Sequence, residues 1–217
     1  MKLFAKKPYP KQTPQEEIAN TISHGFGMIA AIVAAPFLIY YVVNNGDTYA
    51  IVGVSVFITT AIILYLSSTL YHGLKEGRAK EVFQMIDHIA IFILIAGTYT
   101  PFTFGILQGT LGWVLFGLIW GVAIGGITLR ILLGNTHMKL YVIFYLLMGW
   151  LILIPIKQLL ELMPPAGLLW IAAGGAAYTL GVIFFAMPRR KYTHFLWHLF
   201  VLAGTSSHFV AVMFYSY

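Results

Sequence analysis

Apolar residues run along this chain in long unbroken stretches, not in a two-residue alternation or a short amphipathic rhythm. A membrane-crossing helix needs roughly 20 mostly apolar residues. Seven such stretches can be cut from the sequence, at about 22–43, 50–72, 83–106, 110–132, 139–160, 166–187 and 193–215. The gaps hold turn formers and charges: Asn44-Asn45-Gly46-Asp47, Gly73 to Glu81, Gln108-Gly109, Gly134-Asn135, Pro164-Pro165 and Pro188-Arg189-Arg190. A transmembrane barrel would show segments of about ten alternating residues instead. The expected fold is an all-α membrane protein, a seven-transmembrane-helix bundle forming a single domain over 1–217.

Residues 1–21 are expected to be a cytosolic segment with a short helix. Thr13 can cap that helix, Pro14 suits its first position and Glu16 completes a capping box. Pro36, Pro101 and Pro155 fall inside the apolar stretches and should kink them or mark packed irregularities. No repeat or low-complexity segment stands out. The start MKLFAKKPYPKQTPQEE has no apolar core behind its bases, so a cleaved signal peptide is not expected.

Composition agrees with the pattern. Apolar and aromatic residues make up 59% of the 217 positions and charged residues 9%. A soluble domain carries about 25% charged residues to wet its surface, and a disordered chain needs low hydrophobicity. The net charge of +6 does not point to nucleic acid, because the bases lie in short gaps between apolar runs. They read as a topology signal instead. With the gaps numbered alternately, one side collects Lys2, Lys6, Lys7, Lys11, Lys75, Arg78, Lys80, Arg130, Lys139, Arg189, Arg190 and Lys191. The other side has Lys157 alone. This puts the N-terminus in the cytosol and, with an odd number of helices, the C-terminus outside. The chain has no cysteine, which removes disulfides, thiolate nucleophiles and cysteine metal sites.

Ionisable groups inside a bilayer are costly and are functional hypotheses by default. Glu16, Glu17, Asp47, Glu76, Glu81 and Glu161 lie at ends or in loops, whereas Asp87 lies inside the third stretch. Six histidines, His24, His72, His88, His194, His198 and His208, fall in or at the edges of the stretches, and His137 lies in a loop. His72 ends the second stretch. Counted at 1.5 Å per residue, Asp87 is roughly 9 Å past Glu81, and His194 and His198 are roughly 5 and 10 Å past Lys191. These groups share one slab near the cytosolic face, with His24 at a similar level and His208 deeper. His194 and His198, four residues apart, share a helix face and can grip one ion. Three imidazoles with an open fourth position make a catalytic zinc site. Ser68, one turn before His72, could hydrogen-bond a ligand or a metal-bound water. Each has a plainer reading too: a histidine bonded to a neighbour, Asp87 as its structural partner, Ser68 as a small packing residue.

The polar positions form a recognisable set. It comprises Glu17-xx-Asn20-xxx-His24, Ser68-xxx-His72, Asp87-His88-Ile89-Ala90-Ile91-Phe92, Ala96-Gly97-Thr98-Tyr99-Thr100-Pro101-Phe102 and His194-xxx-His198. Across nearly its whole length the chain resembles the bacterial hemolysin III proteins of the progestin and adiponectin receptor family, which is related to the alkaline ceramidase superfamily. The resemblance implies a seven-helix bundle with a cytosolic N-terminus, and zinc held by His72, His194 and His198 with Asp87 near a zinc-bound water. It also implies ceramidase-type hydrolysis of lipid amides.

The leading expectation is therefore a zinc-dependent hydrolase of lipid amides or esters, resident as a multi-pass protein in the plasma (cytoplasmic) membrane. Asp87 would act as general base, Ser68 as a hydrogen-bond donor, and Phe92, Tyr99 and Phe102 would line an acyl-chain cavity. Glu17, Asn20, His24, His88 and His208 are supporting or structural candidates. The expected partners are membrane lipids, among them a lipid substrate, with no nucleic acid. A receptor or sensor with structural zinc is the alternative. A membrane-lysing or pore-forming protein is a third reading, against which stands the lack of a pore-lining polar face on any stretch.

Overall fold

The computed structural model describes residues 11–217, so Lys2, Lys6 and Lys7 of the charge count lie outside the described residues. The elements are α1 (Pro14–Asn45), α2 (Thr48–Gly73), α3 (Arg78–Phe104), α4 (Thr110–Leu133), a tight turn (Gly134–His137), α5 (Met138–Trp150), a second tight turn (Leu151–Leu153), α6 (Ile156–Leu162), α7 (Pro165–Phe185) and α8 (Thr193–Tyr215). No strand occurs among the described residues.

Helix α1 starts where its capping box dictates. Thr13 Oγ1 accepts from the Glu16 N–H at 3.3 Å, and Glu16 Oε2 accepts from the Thr13 N–H at 2.9 Å. The short leading helix expected from sequence is the first turns of α1 itself. With 32 residues, α1 is about 48 Å long, well beyond a hydrocarbon core of about 30 Å. Its first turns can therefore carry polar groups past the apolar slab.

The stretch 139–160 does not form one helix. Pro155 lacks an N–H and its ring clashes with the preceding turn. The chain accordingly tightens over Leu151–Leu153 and resumes as α6. The Tyr99 hydroxyl lies 2.9 Å from the Met148 carbonyl and 2.8 Å from the Gly149 carbonyl, and donates where the ladder is broken. Backbone irregularity at membrane depth needs such a substitute donor.

Six helical runs among the described residues are long and apolar enough to cross a membrane, with Thr110–Leu153 counted as one run of 44 residues. The bundle is a ring. Each of α1 to α4 packs on the next, α5 joins α3 and α4 to α7, and α8 closes the ring against α7 and α1. Between α2 and α3 the packing leaves room only for glycine at two positions: a Cβ on Gly53 would meet the Pro101 backbone, 2.8 Å from its Cα, and one on Gly97 would meet the Thr60 side chain, 2.2 Å from its Oγ1. The exterior is apolar, with Phe26, Phe37, Tyr40, Leu132 and Leu169 well exposed. Asn20, Ser68, His72, Asp87, Arg130 and His198 are buried. A protein with greasy outer walls and polar groups inside is built for lipid, and this one is a multi-pass membrane protein.

Candidate metal centre

One end of the bundle gathers the last turn of α2, the first turns of α1 and α8, and the first half of α3. Glu16 fixes how α8 enters. Tyr192, just before α8, has φ 59°, the left-handed conformation that a side chain with a Cβ rarely adopts. Its N–H donates to Glu16 Oε1 at 2.7 Å, so the α1 cap also holds the start of α8. His194 and His198 follow within the next two turns.

His72, His194 and His198 converge. Their ring centroids are 4.7 to 5.0 Å apart, and one ligand atom from each lies within 4.8 Å of the others. Nε2 of His72 and Nε2 of His194 are 3.2 Å apart. Two ligands on a tetrahedral ion, each bonded at 2.0–2.1 Å, sit about 3.3 Å apart. This three-histidine group can hold a metal ion.

The surroundings turn the rings the right way for that. Glu17 Oε2 accepts from His72 Nδ1 at 2.6 Å, which leaves the Nε2 lone pair facing His194. Lys80 Nζ pairs with the other Glu17 oxygen at 2.9 Å and also donates to the Tyr71 and Leu74 carbonyls at the end of α2. His198 Nδ1 lies 3.0 Å from Ser23 Oγ and 3.3 Å from the Asn20 carbonyl. A carbonyl only accepts, so Nδ1 carries the proton and Nε2 is again free. A carboxylate or carbonyl behind a ligating imidazole is the usual support of a metal site. Donors of this type suit zinc, copper, iron or nickel, and not calcium or magnesium.

Beside the three rings is a small cavity lined by His24, Ser68, Asp87, His88, Phe185, Trp197 and others. It has room for about one water molecule. Asp87 and Ser68 are both buried and line this cavity together, and the Ser68 hydroxyl has no hydrogen-bond partner among the described residues. His24 stacks on His198 with ring centroids 3.5 Å apart and an interplanar angle of 6°. Neither nitrogen of His24 has a hydrogen-bond partner among the described residues, so it packs the His198 ring. His88 accepts from Arg130 Nη2, 2.8 Å from its Nδ1.

The Haemolysin-III related family model matches residues 12–209 of the chain. The chain belongs to the haemolysin-III related family. It is 42% identical over 203 residues to the Hemolysin-3 homolog of Bacillus subtilis (strain 168), covering 94% of this chain and 95% of that one. It is 42% identical over 204 residues to Hemolysin-3 of Bacillus cereus, covering 94% and 93%. A human protein, Monocyte to macrophage differentiation factor, is 29% identical over 217 residues, covering 95% of this chain and 87% of that one.

In this haemolysin-III related chain the other sequence candidates divide. Asn20 reaches Gln12 with its side chain and His198 with its carbonyl. His208 is buried farther along α8, stacked on Tyr178 at 5.6 Å. Phe92, Tyr99 and Phe102 do not line the cavity. Phe92 packs on Tyr145 and fills the space left by Gly126, Tyr99 caps the break after α5, and Phe102 lies in the core. Three residues that sequence reasoning assigned to caps or to charge counting belong to the centre's support. They are Glu16, Lys80 and Arg130. Arg130 is fully buried. Its place carries a signal of its own: Arg130 falls inside the apolar stretch 110–132, as Asp87, the one acid inside a stretch, falls inside 83–106.

Proposed function

We propose that this protein is a zinc-dependent hydrolase of lipid amides or esters, working at one edge of a seven-span bundle. The observation that carries the reading is the combination of three convergent histidines with a water-sized cavity that also holds a carboxylate. A structural zinc site closes all four positions with protein ligands, whereas a catalytic one keeps a position open. His72, His194 and His198 would hold the ion. Zinc bound there supplies a water acidified to a pKa of about 7 and an electrophile for the scissile carbonyl.

The chain's own residues do the rest. Asp87 takes the proton of the attacking water at a carboxylate oxygen and returns it to the leaving amine or alcohol, so the group ends the cycle ionised as it began. The Ser68 hydroxyl donates to Asp87 or to the substrate carbonyl. Glu17 and the Asn20 carbonyl keep their two histidines presenting Nε2. Phe185, Trp197, Leu64 and Val201 line the cavity and restrict bulk water.

The topology fits a lipid substrate. The 44-residue run Thr110–Leu153 is about 66 Å long if helical, twice a bilayer core, and it turns at Gly134 with φ 59°. Two crossings there give seven in all. The lysine and arginine bias supports a centre near the cytosolic face of the plasma membrane, with the N-terminus inside.

The test is turnover of a defined N-acyl amide in detergent micelles by purified protein. Activity should vanish on chelation and return with zinc. Full activity in protein shown by elemental analysis to hold no metal would defeat the proposal.

A further inference from the structure

We infer that His88 is a fixed hydrogen-bond donor in the metal cavity, its tautomer set by Arg130. The identity of the acceptor, a substrate carbonyl oxygen, rests on the hydrolase reading; the tautomer does not.

A guanidinium has donors and no acceptor. Arg130 Nη2 lies 2.8 Å from His88 Nδ1, so Nδ1 accepts. A neutral imidazole that accepts at Nδ1 carries its proton at Nε2. A doubly protonated ring would set N–H against N–H, and the contact excludes it. Nε2 makes no hydrogen bond with the described residues, while the ring lines the cavity beside Asp87, Ser68, His194 and His198. His72 and His198 have the opposite arrangement: their Nδ1–H is tied to Glu17 and to the Asn20 carbonyl, and Nε2 offers a lone pair. The cavity lined by His198 and His88 therefore has, at one side, a lone pair for a cation and, on a neighbouring helix, a single N–H for an oxygen.

Arg130 is held through Nη2, while its Nε and Nη1 have no hydrogen-bond partner among the described residues. It is fully buried, and Nη2 also donates to Asn135 Oδ1. Asn135 Nδ2 donates to Gln84 Oε1 at 2.9 Å, and Gln84 Nε2 donates to the Tyr71 hydroxyl at 2.8 Å. The guanidinium lies 5.4 Å from the Tyr141 ring centroid. The Tyr145 hydroxyl donates to the His88 carbonyl at 2.8 Å, which anchors that turn of α3. A buried cation inside a membrane bundle is expensive to keep. No carboxylate among the described residues pairs with Arg130 within 4.0 Å. Its direct contacts point instead to holding the ring of His88. Arg130 is thus a positioning residue, and His88 meets the substrate. Its Nε2–H would stabilise the negative charge that grows on a carbonyl oxygen under attack. Asp87, next in sequence, handles the proton, so the pair divides the two tasks.

The tautomer is read by nitrogen NMR on protein labelled at histidine, with the His88 signals assigned by their loss in His88→Gln. The expected result is a protonated Nε2 and an unprotonated Nδ1 in the wild type, and loss of that preference in Arg130→Met with metal content unchanged. Protonation at Nδ1 in the wild type overturns the inference, and that measurement stands even if Arg130→Met does not fold. In turnover of a fluorescent N-acyl amide, His88→Phe should lose about 100-fold in kcat with its metal retained. His88→Gln, which keeps a side-chain N–H donor, should recover much of that loss. A His88→Phe rate equal to wild type removes the donor role. A wild type with the expected tautomer but no turnover of any lipid amide or ester defeats the hydrolase reading and leaves the fixed donor standing.

Discussion

His198 and His208 lie on the same helix, α8, both buried and about 15 Å apart along its axis. His198 has Nδ1 tied to Ser23 and to the Asn20 carbonyl, and its ring faces two more histidines. His208 stacks on Tyr178, and its Nδ1 has no partner. A Cβ on Gly174 would meet the His208 ring at 2.5 Å, so the ring fills a space that α7 leaves by carrying glycine there. Burial is common to both sites, and only one is oriented. What separates a candidate ligand from a packed ring is a partner behind Nδ1 and companions in front of Nε2.

The largest expected effect breaks the pair apart directly. His198→Ala should lower bound metal from about one ion per chain to background, because two imidazoles and an open cavity make a poor zinc site. His208→Ala should leave the metal in place. Elemental analysis of the two purified variants decides it, and equal loss in both would show that the difference in orientation means nothing.

Asp87→Asn comes next. It keeps the shape of the side chain and removes its ability to take a proton, so kcat for a lipid amide should fall about 10²- to 10⁴-fold with metal still bound. Metal loss together with activity would make Asp87 a ligand, and the centre the structural site of a sensor.

Much of this difference could be read from the sequence. The long apolar runs gave the all-helical membrane class, and the polar motif set identified the family. Depth counting placed His72, Asp87, His194 and His198 in one slab and His208 outside it, and the fold brings the three histidines of that slab together. What counting could not supply is the partner behind each ring. Glu17 reaches His72 across 55 positions, and Ser23 reaches His198 across 175. Such pairs depend on how α1 leans against α2 and α8, which periodicity along one helix does not encode. A topology tally asks only which side Lys80 and Arg130 are on, so it does not register that both are buried. The break after α5 was half legible: Pro155 marked it, but the donor that makes it tolerable is Tyr99, a residue assigned from sequence to an acyl cavity.

A smaller effect sharpens the oriented half of the comparison. Glu17→Gln removes the charge behind His72 and frees Lys80 from its ion pair, while the ligand atoms remain. Loss of a group that supports a ligating histidine typically costs 10- to 100-fold in metal affinity. Competition against a chelator of known affinity measures it. An unchanged affinity would reduce the Glu17–His72 contact to a link between α1 and α2.

The smallest effect concerns the packed half. In an open helix Gly174→Ala would stabilise by up to about 1 kcal/mol. Here the new methyl meets the His208 ring, and forcing a ring out of a filled space costs about 1–3 kcal/mol. The net outcome should be a lower thermal midpoint in detergent, with metal affinity unchanged. Shrinking the ring should reverse the sign: in a His208→Ala background the same Gly174→Ala change has room, and the two substitutions together should be more stable than the sum of the single effects. If Gly174→Ala instead lowered metal affinity in both backgrounds, the two ends of α8 would be coupled, and His208 would belong to the centre after all.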